Sequence, residues 1–123
     1  MFRYTIVFLL ISLSVFAQQS PLKDQQTKKE IELAIDSIYN YKFDNAEEIY
    51  KKLQHNYPNH PLPSLLNAVR LYWQYFPVTP SDSLSSLYIK YNTDALEKAE
   101  ALLEKDKNNA EAIFFNLMAR LLI

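Results

Sequence analysis

The chain has 123 residues, of which 49% are apolar and 22% are charged, and this length and balance predict one folded domain with a hydrophobic core. Its formal net charge is −1 and its basic residues form no block, which disfavours nucleic-acid binding. It contains neither glycine nor cysteine, which excludes glycine loops that bind phosphates or dinucleotides, thiolate nucleophiles, disulfides and cysteine-ligated zinc.

Residues 1–17 have the layout of a secretory signal peptide. Arg3 precedes an apolar run over 6–16, and Val15 and Ala17 lie three residues and one residue before a possible cleavage point. The run is shorter than the roughly 20 apolar residues that a membrane-spanning helix needs. We therefore expect cleavage after Ala17, export to the periplasm or the extracellular space, and no membrane contact in the mature form. An uncleaved membrane anchor is the alternative.

The sequence then predicts a flexible tail over 18–26 and a helical domain over 27–123. The tail is polar and contains a proline. The first helix is expected to begin at Thr27 or Lys28, because apolar residues recur from there at helical spacing. These residues are Ile31, Ile35 and Ile38.

The most regular amphipathic helix is predicted between Phe43 and Pro58. One stripe is apolar and the opposite stripe alternates Glu and Lys. Asp44 can cap the amino end, and Pro58 forbids continuation. Asn40 is expected to supply the left-handed turn residue before it, since asparagine tolerates that conformation. The apolar stripe consists of Ala46, Ile49, Tyr50, Leu53 and Tyr57.

A third helix is predicted after the proline-rich turn over 58–63. Prolines disfavour a helical interior, so we expect the helix to begin after Pro63 and to end before Pro77. Its apolar residues cover a wide arc, which is typical of a helix covered on two sides in a helical stack. They include Leu65, Val69, Tyr72, Trp73 and Phe76.

Two further helices are predicted, one long helix over 82–105 and a last helix over 110–123. A break at Asn92, Thr93 and Asp94, which are poor helix formers, is the alternative for the long helix. The last helix has a broad apolar face, so either the natural chain is longer or another surface covers it, and self-association through 110–123 is one possibility. That face consists of Ile113, Phe114, Leu117, Met118, Leu121 and Leu122.

One pattern of four residues occurs twice: Ala46, Tyr50, Leu53 and Pro58, and again Ala95, Ala99, Leu102 and Lys107. The spacing resembles the second helix of a tetratricopeptide repeat, with an insertion of about fifteen residues between the copies. The resemblance implies an all-α fold in which antiparallel helix pairs stack as an α-solenoid, with a long inserted helix before the last half-repeat. The chain looks like the amino-terminal part of a secreted bacterial protein of this family.

The resemblance also implies where a partner binds. In this family the first helices of successive repeats line a concave surface that takes a protein or peptide. Trp73 has two interpretations: a core residue, which we expect, or a binding hot spot, since Tyr and Trp are enriched where proteins bind partners. The candidate partner-binding residues are Ile31, Ile35, Val69, Tyr72 and Trp73.

We expect no catalytic site, cofactor or metal. His55 and His60 flank a turn and lack the spacing of a zinc protease, and the acidic residues alternate with lysines as on solvated helix faces. We expect a secreted, non-catalytic helical-repeat module that mediates protein or peptide interaction. The alternatives are a structural amino-terminal segment of a longer repeat protein, with its apolar face filled by further helices, and a small hydrolase using Glu, His or Ser side chains.

Overall fold

The computed structural model describes residues 20–76 and 83–122, and within these ranges it contains helices and no strand. This confirms the all-α prediction. The predicted signal peptide over 1–17 and its cleavage point lie outside the described residues. A 3-10 helix spans Pro21–Lys23, and the α-helices are α1 (Gln25–Tyr39), α2 (Phe43–Asn56), α3 (Pro61–Gln74), α4 (Ser83–Lys105) and α5 (Ala110–Leu122).

Residues 20–26, predicted as a flexible tail, pack against the helical domain. Asp24 accepts hydrogen bonds from the backbone N–H of Thr27 at 2.9 Å and from its hydroxyl at 2.6 Å, so α1 begins directly after Asp24. Such a cap satisfies amides that have no partner within the helix. Pro21 is buried and Leu22 packs against the core. The amino-terminal edge of the domain is therefore part of the folded structure.

The turn from α1 to α2 uses a different residue from the one predicted. Tyr41, and not Asn40, has a positive φ, of 59°. The N–H of Lys42 reaches back to the carbonyl of Ser37 at 2.8 Å, which closes the end of α1 as a left-handed residue usually does. Lys42 makes no side-chain cap, and Asp44 lies within the first turn of α2 and does not cap it.

α3 begins at Pro61, inside the segment predicted as a turn. Pro61 and Pro63 lie in the first helical turn, where backbone N–H groups have no helical partner, so proline removes no hydrogen bond there. The Nδ1 atom of His60 accepts the N–H of Leu62 at 3.1 Å and caps the helix. Most of α3 is buried, as expected for an inner helix.

α4 runs unbroken from Ser83 to Lys105, which confirms one long helix over its described residues. Packing overrides the poor helix propensity at its middle. Asn92 is fully buried there, and Asp94 accepts a hydrogen bond from the hydroxyl of Ser64 in α3. Asp94 also pairs with Lys98 at 2.7 Å.

Each helix packs against the next one in the chain. In addition, α1 contacts α3, and α3 contacts α5. The core combines small residues, where helices approach closely, with branched residues that fill the remaining space. Within 20–76 and 83–122, none of the helices has the length and hydropathy needed to cross a membrane. The fully buried alanines of the core cluster are Ala34, Ala46, Ala95, Ala99 and Ala119.

A larger side chain at Ala46 tests this close packing. Ala46 is 1% exposed, so Ala46→Leu inserts carbon atoms where there is no space and should lower the free energy of unfolding by about 1 to 3 kcal/mol. Glu48→Ala on the exposed face of the same helix should change it by less than about 0.5 kcal/mol. Urea denaturation of both variants measures the difference, and equal small effects would show that Ala46 is not at a helix contact.

Candidate functional site

An apolar groove lies between α1, α3 and α5. Its volume is about 330 Å³, and no lining residue carries a formal charge. Pockets of this size with mostly apolar walls are typical of binding sites. We refer to it as the α1/α3/α5 groove, and its lining residues are Leu22, Ile31, Ile35, Ile38, Tyr39, Leu62, Leu65, Leu66, Val69, Trp73, Phe114 and Phe115.

The groove has a buried floor and an exposed rim. α1 and α3 each present apolar residues at steps of three and four, so that one stripe of each helix faces the groove. The floor consists mainly of Ile31, Leu62, Leu65, Leu66 and Phe115, which are buried, and the rim consists of Ile35, Tyr39, Trp73 and Phe114, which are exposed. The rim is therefore a mostly aromatic surface that water covers in the free protein.

The structure brings four of the five predicted partner-binding residues to this groove. Ile31 and Ile35 come from α1, and Val69 and Trp73 come from α3. Tyr72 is the exception, because it does not line the groove. Its ring packs 5.9 Å from the ring of Tyr88 in α4.

The expectation that Trp73 is a core residue is wrong. Trp73 is 47% exposed, and its ring lies 6.4 Å from that of Tyr39 and 5.7 Å from that of Tyr72. It lies in the last turn of α3, where exposure rises, and the next residues Tyr75 and Phe76 are exposed as well. Helical spacing identified the correct face of α3, but it did not show that neighbouring segments stop burying this face before the last turn of the helix.

Eight of the twelve lining residues of the groove were not predicted as partner-binding, among them Leu22 and Phe115. Leu22 was placed in the tail. In α5 the neighbours of Phe115 were chosen for the apolar face, although Ala112, Phe115 and Ala119 are its buried residues. The two alanines on either side of Phe115, at steps of three and four, were the available signal, since small residues mark close helix contacts.

A polar network lies beside the groove, where α3 and α5 begin. His60 is buried, and its Nε2 atom lies 2.8 Å from Oε1 of Glu111. Ser20 donates a hydrogen bond to the other oxygen of Glu111, and the His60 ring meets Phe115 edge to face at 5.3 Å. The carboxylate stands between the hydroxyl and the imidazole, so His60 is not placed to take a proton from Ser20. The network joins three segments of the chain, and its imidazole and its hydroxyl both contact the carboxylate of Glu111 and not each other.

The hydrogen bond that Nδ1 of His60 accepts defines the tautomer of the neutral ring. Nδ1 accepts the N–H of Leu62, so the proton of the neutral ring is on Nε2, facing Glu111. Burial lowers the pKa of His60 from its ordinary value of 6.5, and the Glu111 carboxylate opposes this shift in part. Protonation of Nδ1 would remove the cap of α3.

This arrangement predicts a pH-dependent stability. The lowered pKa means that the unfolded chain takes up the proton more readily than the folded protein, so the free energy of unfolding should fall as pH falls through 6.5. Thermal melts from about pH 7.5 to about pH 5.5 measure it. In His60→Asn, which keeps a capping side chain but does not titrate, this dependence should be smaller. An unchanged pH dependence in that variant would contradict the assignment.

In the described part of the chain, no group of three or more His, Asp or Glu residues could hold a metal ion. His55, the other histidine, is exposed in the last turn of α2. Comparison of the chain with protein-family models, with curated proteins and with solved structures returns no match.

Proposed function

We propose that the chain is a non-catalytic helical-repeat module that binds an apolar segment of a protein or peptide in the α1/α3/α5 groove. The observation that carries this proposal is the uncharged groove with a buried floor and an exposed, mostly aromatic rim. Covering such a surface removes apolar area from water, which favours association. Tyr39, Trp73 and Phe114 supply large contact areas with few rotatable bonds.

The proposed architecture is a short α-solenoid of tetratricopeptide type, in which α1 and α2 form the first antiparallel pair, α3 and α4 the second, and α5 begins a third. In such a stack each first helix touches the first helix of the next repeat. The contacts of α1 with α3 and of α3 with α5 support this arrangement, as do the buried alanines Ala46 and Ala95 at matching positions. α4 is then the inserted long helix.

The shape of the groove favours an amphipathic helix as its occupant. Its walls are helices whose apolar residues recur every three or four positions, and a partner helix with apolar residues at the same spacing can place them between the walls. Because no lining residue carries a charge, the groove has no group that would select a charged motif in the partner. We also propose that the protein reaches such a partner after export, on the strength of the signal-like pattern over 1–17.

Tryptophan fluorescence tests this function directly, because Trp73 is the single tryptophan of the chain and lies at the rim. The probe is a synthetic helix-forming peptide of Leu, Ala and Lys with leucines at helical spacing, and the control is a scrambled peptide of the same composition. Binding should shift the emission to shorter wavelength and protect it from acrylamide. No change at saturating peptide, or an equal response to the scrambled peptide, would contradict the proposal.

A further inference from the structure

The exposed side of α5 is an apolar surface separate from the floor of the groove. We name it the α5 face and define it by Ile113, Phe114, Leu117 and Leu121, all of which are exposed, Leu121 to 79%. The buried side of the same helix, with Ala112, Phe115 and Ala119, is turned the other way. Of the four residues only Phe114 also lines the α1/α3/α5 groove.

The size of the α5 face is close to what a protein pair requires. Large side chains present roughly 150 to 250 Å² when fully exposed, so the four together expose on the order of 400 Å² of apolar surface. A standard interface covers about 800 Å² per partner, slightly more than half of it apolar. The α5 face therefore supplies an apolar centre of suitable area, and the polar residues around it would form the rim.

The pattern of the α5 face is self-complementary. Ile113 lies four residues before Leu117, and Leu121 lies four residues after it. If two α5 helices pack antiparallel around a two-fold axis at Leu117, Ile113 of one copy meets Leu121 of the other on both sides of the axis. A two-fold interface requires this kind of match, because the same surface serves both partners.

The charges of α5 do not oppose such a pair. Its two charged residues are Glu111 and Arg120. Arg120 is bound within its own chain to Glu100 at 2.9 Å and to Asn116 at 3.0 Å, and Glu111 is held by His60 and Ser20. Two copies can therefore approach without bringing unpaired like charges together. We propose that the α5 face binds the α5 face of a second copy of this chain, and that the protein is an antiparallel two-fold dimer.

Cysteine cross-linking tests the geometry, since the chain has no cysteine of its own. A disulfide needs Cα atoms about 4.4 to 6.8 Å apart, a separation that the proposed axis permits only close to Leu117. Leu117→Cys should form a covalent dimer under mild oxidation, while Leu33→Cys should stay mostly monomeric. Leu33 is a matched control, because it is 56% exposed, as is Leu117, but lies on α1 outside the groove.

Sedimentation over a range of concentrations tests the equilibrium. The unaltered protein should show a reversible monomer–dimer equilibrium, and Leu117→Glu should weaken it by about 30-fold or more, while Leu33→Glu leaves it unchanged. Circular dichroism establishes that both variants are folded.

Four results would overturn the dimer: a protein that is monomeric throughout, assemblies that grow beyond two copies, equal behaviour of the Leu33 and Leu117 variants, or a longer natural chain whose further helices cover the face. Association that is lost in the groove variant Ile35→Asp but kept in Leu117→Glu would also overturn it, because the groove would then be the interface. Peptide binding in the groove is measured separately by Trp73 fluorescence, so either proposal can fail while the other stands.

Discussion

Replacing Phe115 with alanine is expected to lower the free energy of unfolding by about 3 to 5 kcal/mol, the range for removing a buried ring from a core. Phe115 is 3% exposed and belongs to the core cluster. Its ring also packs edge to face against His60. The substitution therefore opens a cavity where α5 meets α3 and takes packing from the residue that caps α3.

The neighbouring residue provides the control. Phe114 is 54% exposed, so Phe114→Ala removes the same atoms from a surface and should lower stability by about 1 kcal/mol or less. Urea denaturation monitored by circular dichroism compares the two variants at equal ionic strength and concentration. Equal losses would show that the buried face of α5 is assigned incorrectly, and a larger loss in Phe114→Ala would reverse the assignment.

A charge in the α1/α3/α5 groove is expected to abolish peptide binding while the fold persists. Ile35 lies on the exposed rim, so Ile35→Asp leaves its carboxylate in water in the free protein. A bound apolar helix would remove that water without supplying a hydrogen-bond partner, which is unfavourable. We expect the affinity for the amphipathic Leu, Ala and Lys peptide to fall by about 30-fold or more.

Leu33→Asp is the matched control for this loss. Leu33 lies two residues earlier on the same helix, is also exposed, and does not line the groove. Trp73 fluorescence titrations should give the parent affinity for Leu33→Asp and little or no binding for Ile35→Asp, with similar thermal stability for both. If both variants bind as the parent does, the peptide contacts another surface. If both lose binding, the effect comes from charge on α1 and not from the groove.

Features that depend on neighbouring residues in the chain could be predicted from the sequence. Ala46 and Leu53 are buried as the helical stripe of α2 required, and the long stripe of α4 outweighed three poor helix formers. These features can be predicted from a short stretch of sequence, because the apolar stripe of an amphipathic helix indicates which side faces the protein interior. Four of the five candidate residues, which were named from the resemblance to tetratricopeptide repeats, line one groove.

Features that depend on distant contacts could not be predicted. α5 is apolar on most sides, so only its packing against the earlier helices decides that Phe115 is buried and Phe114 exposed. Trp73 is exposed because α3 loses its cover before its last turn, and His60 caps α3 although histidine is not among the preferred capping residues. These outcomes depend on how helices far apart in the sequence are arranged in space.

The left-handed residue Tyr41 has a consequence for the entropy of association. A residue other than glycine adopts this conformation at a cost of about 1 to 2 kcal/mol, and here the hydrogen bond from Lys42 to Ser37 holds it in place. A glycine-free turn closed in this way leaves α1 little freedom to swing relative to α2. We therefore expect α1, which carries Ile35, to lose little conformational freedom on binding, so that the loss falls mainly on the incoming peptide.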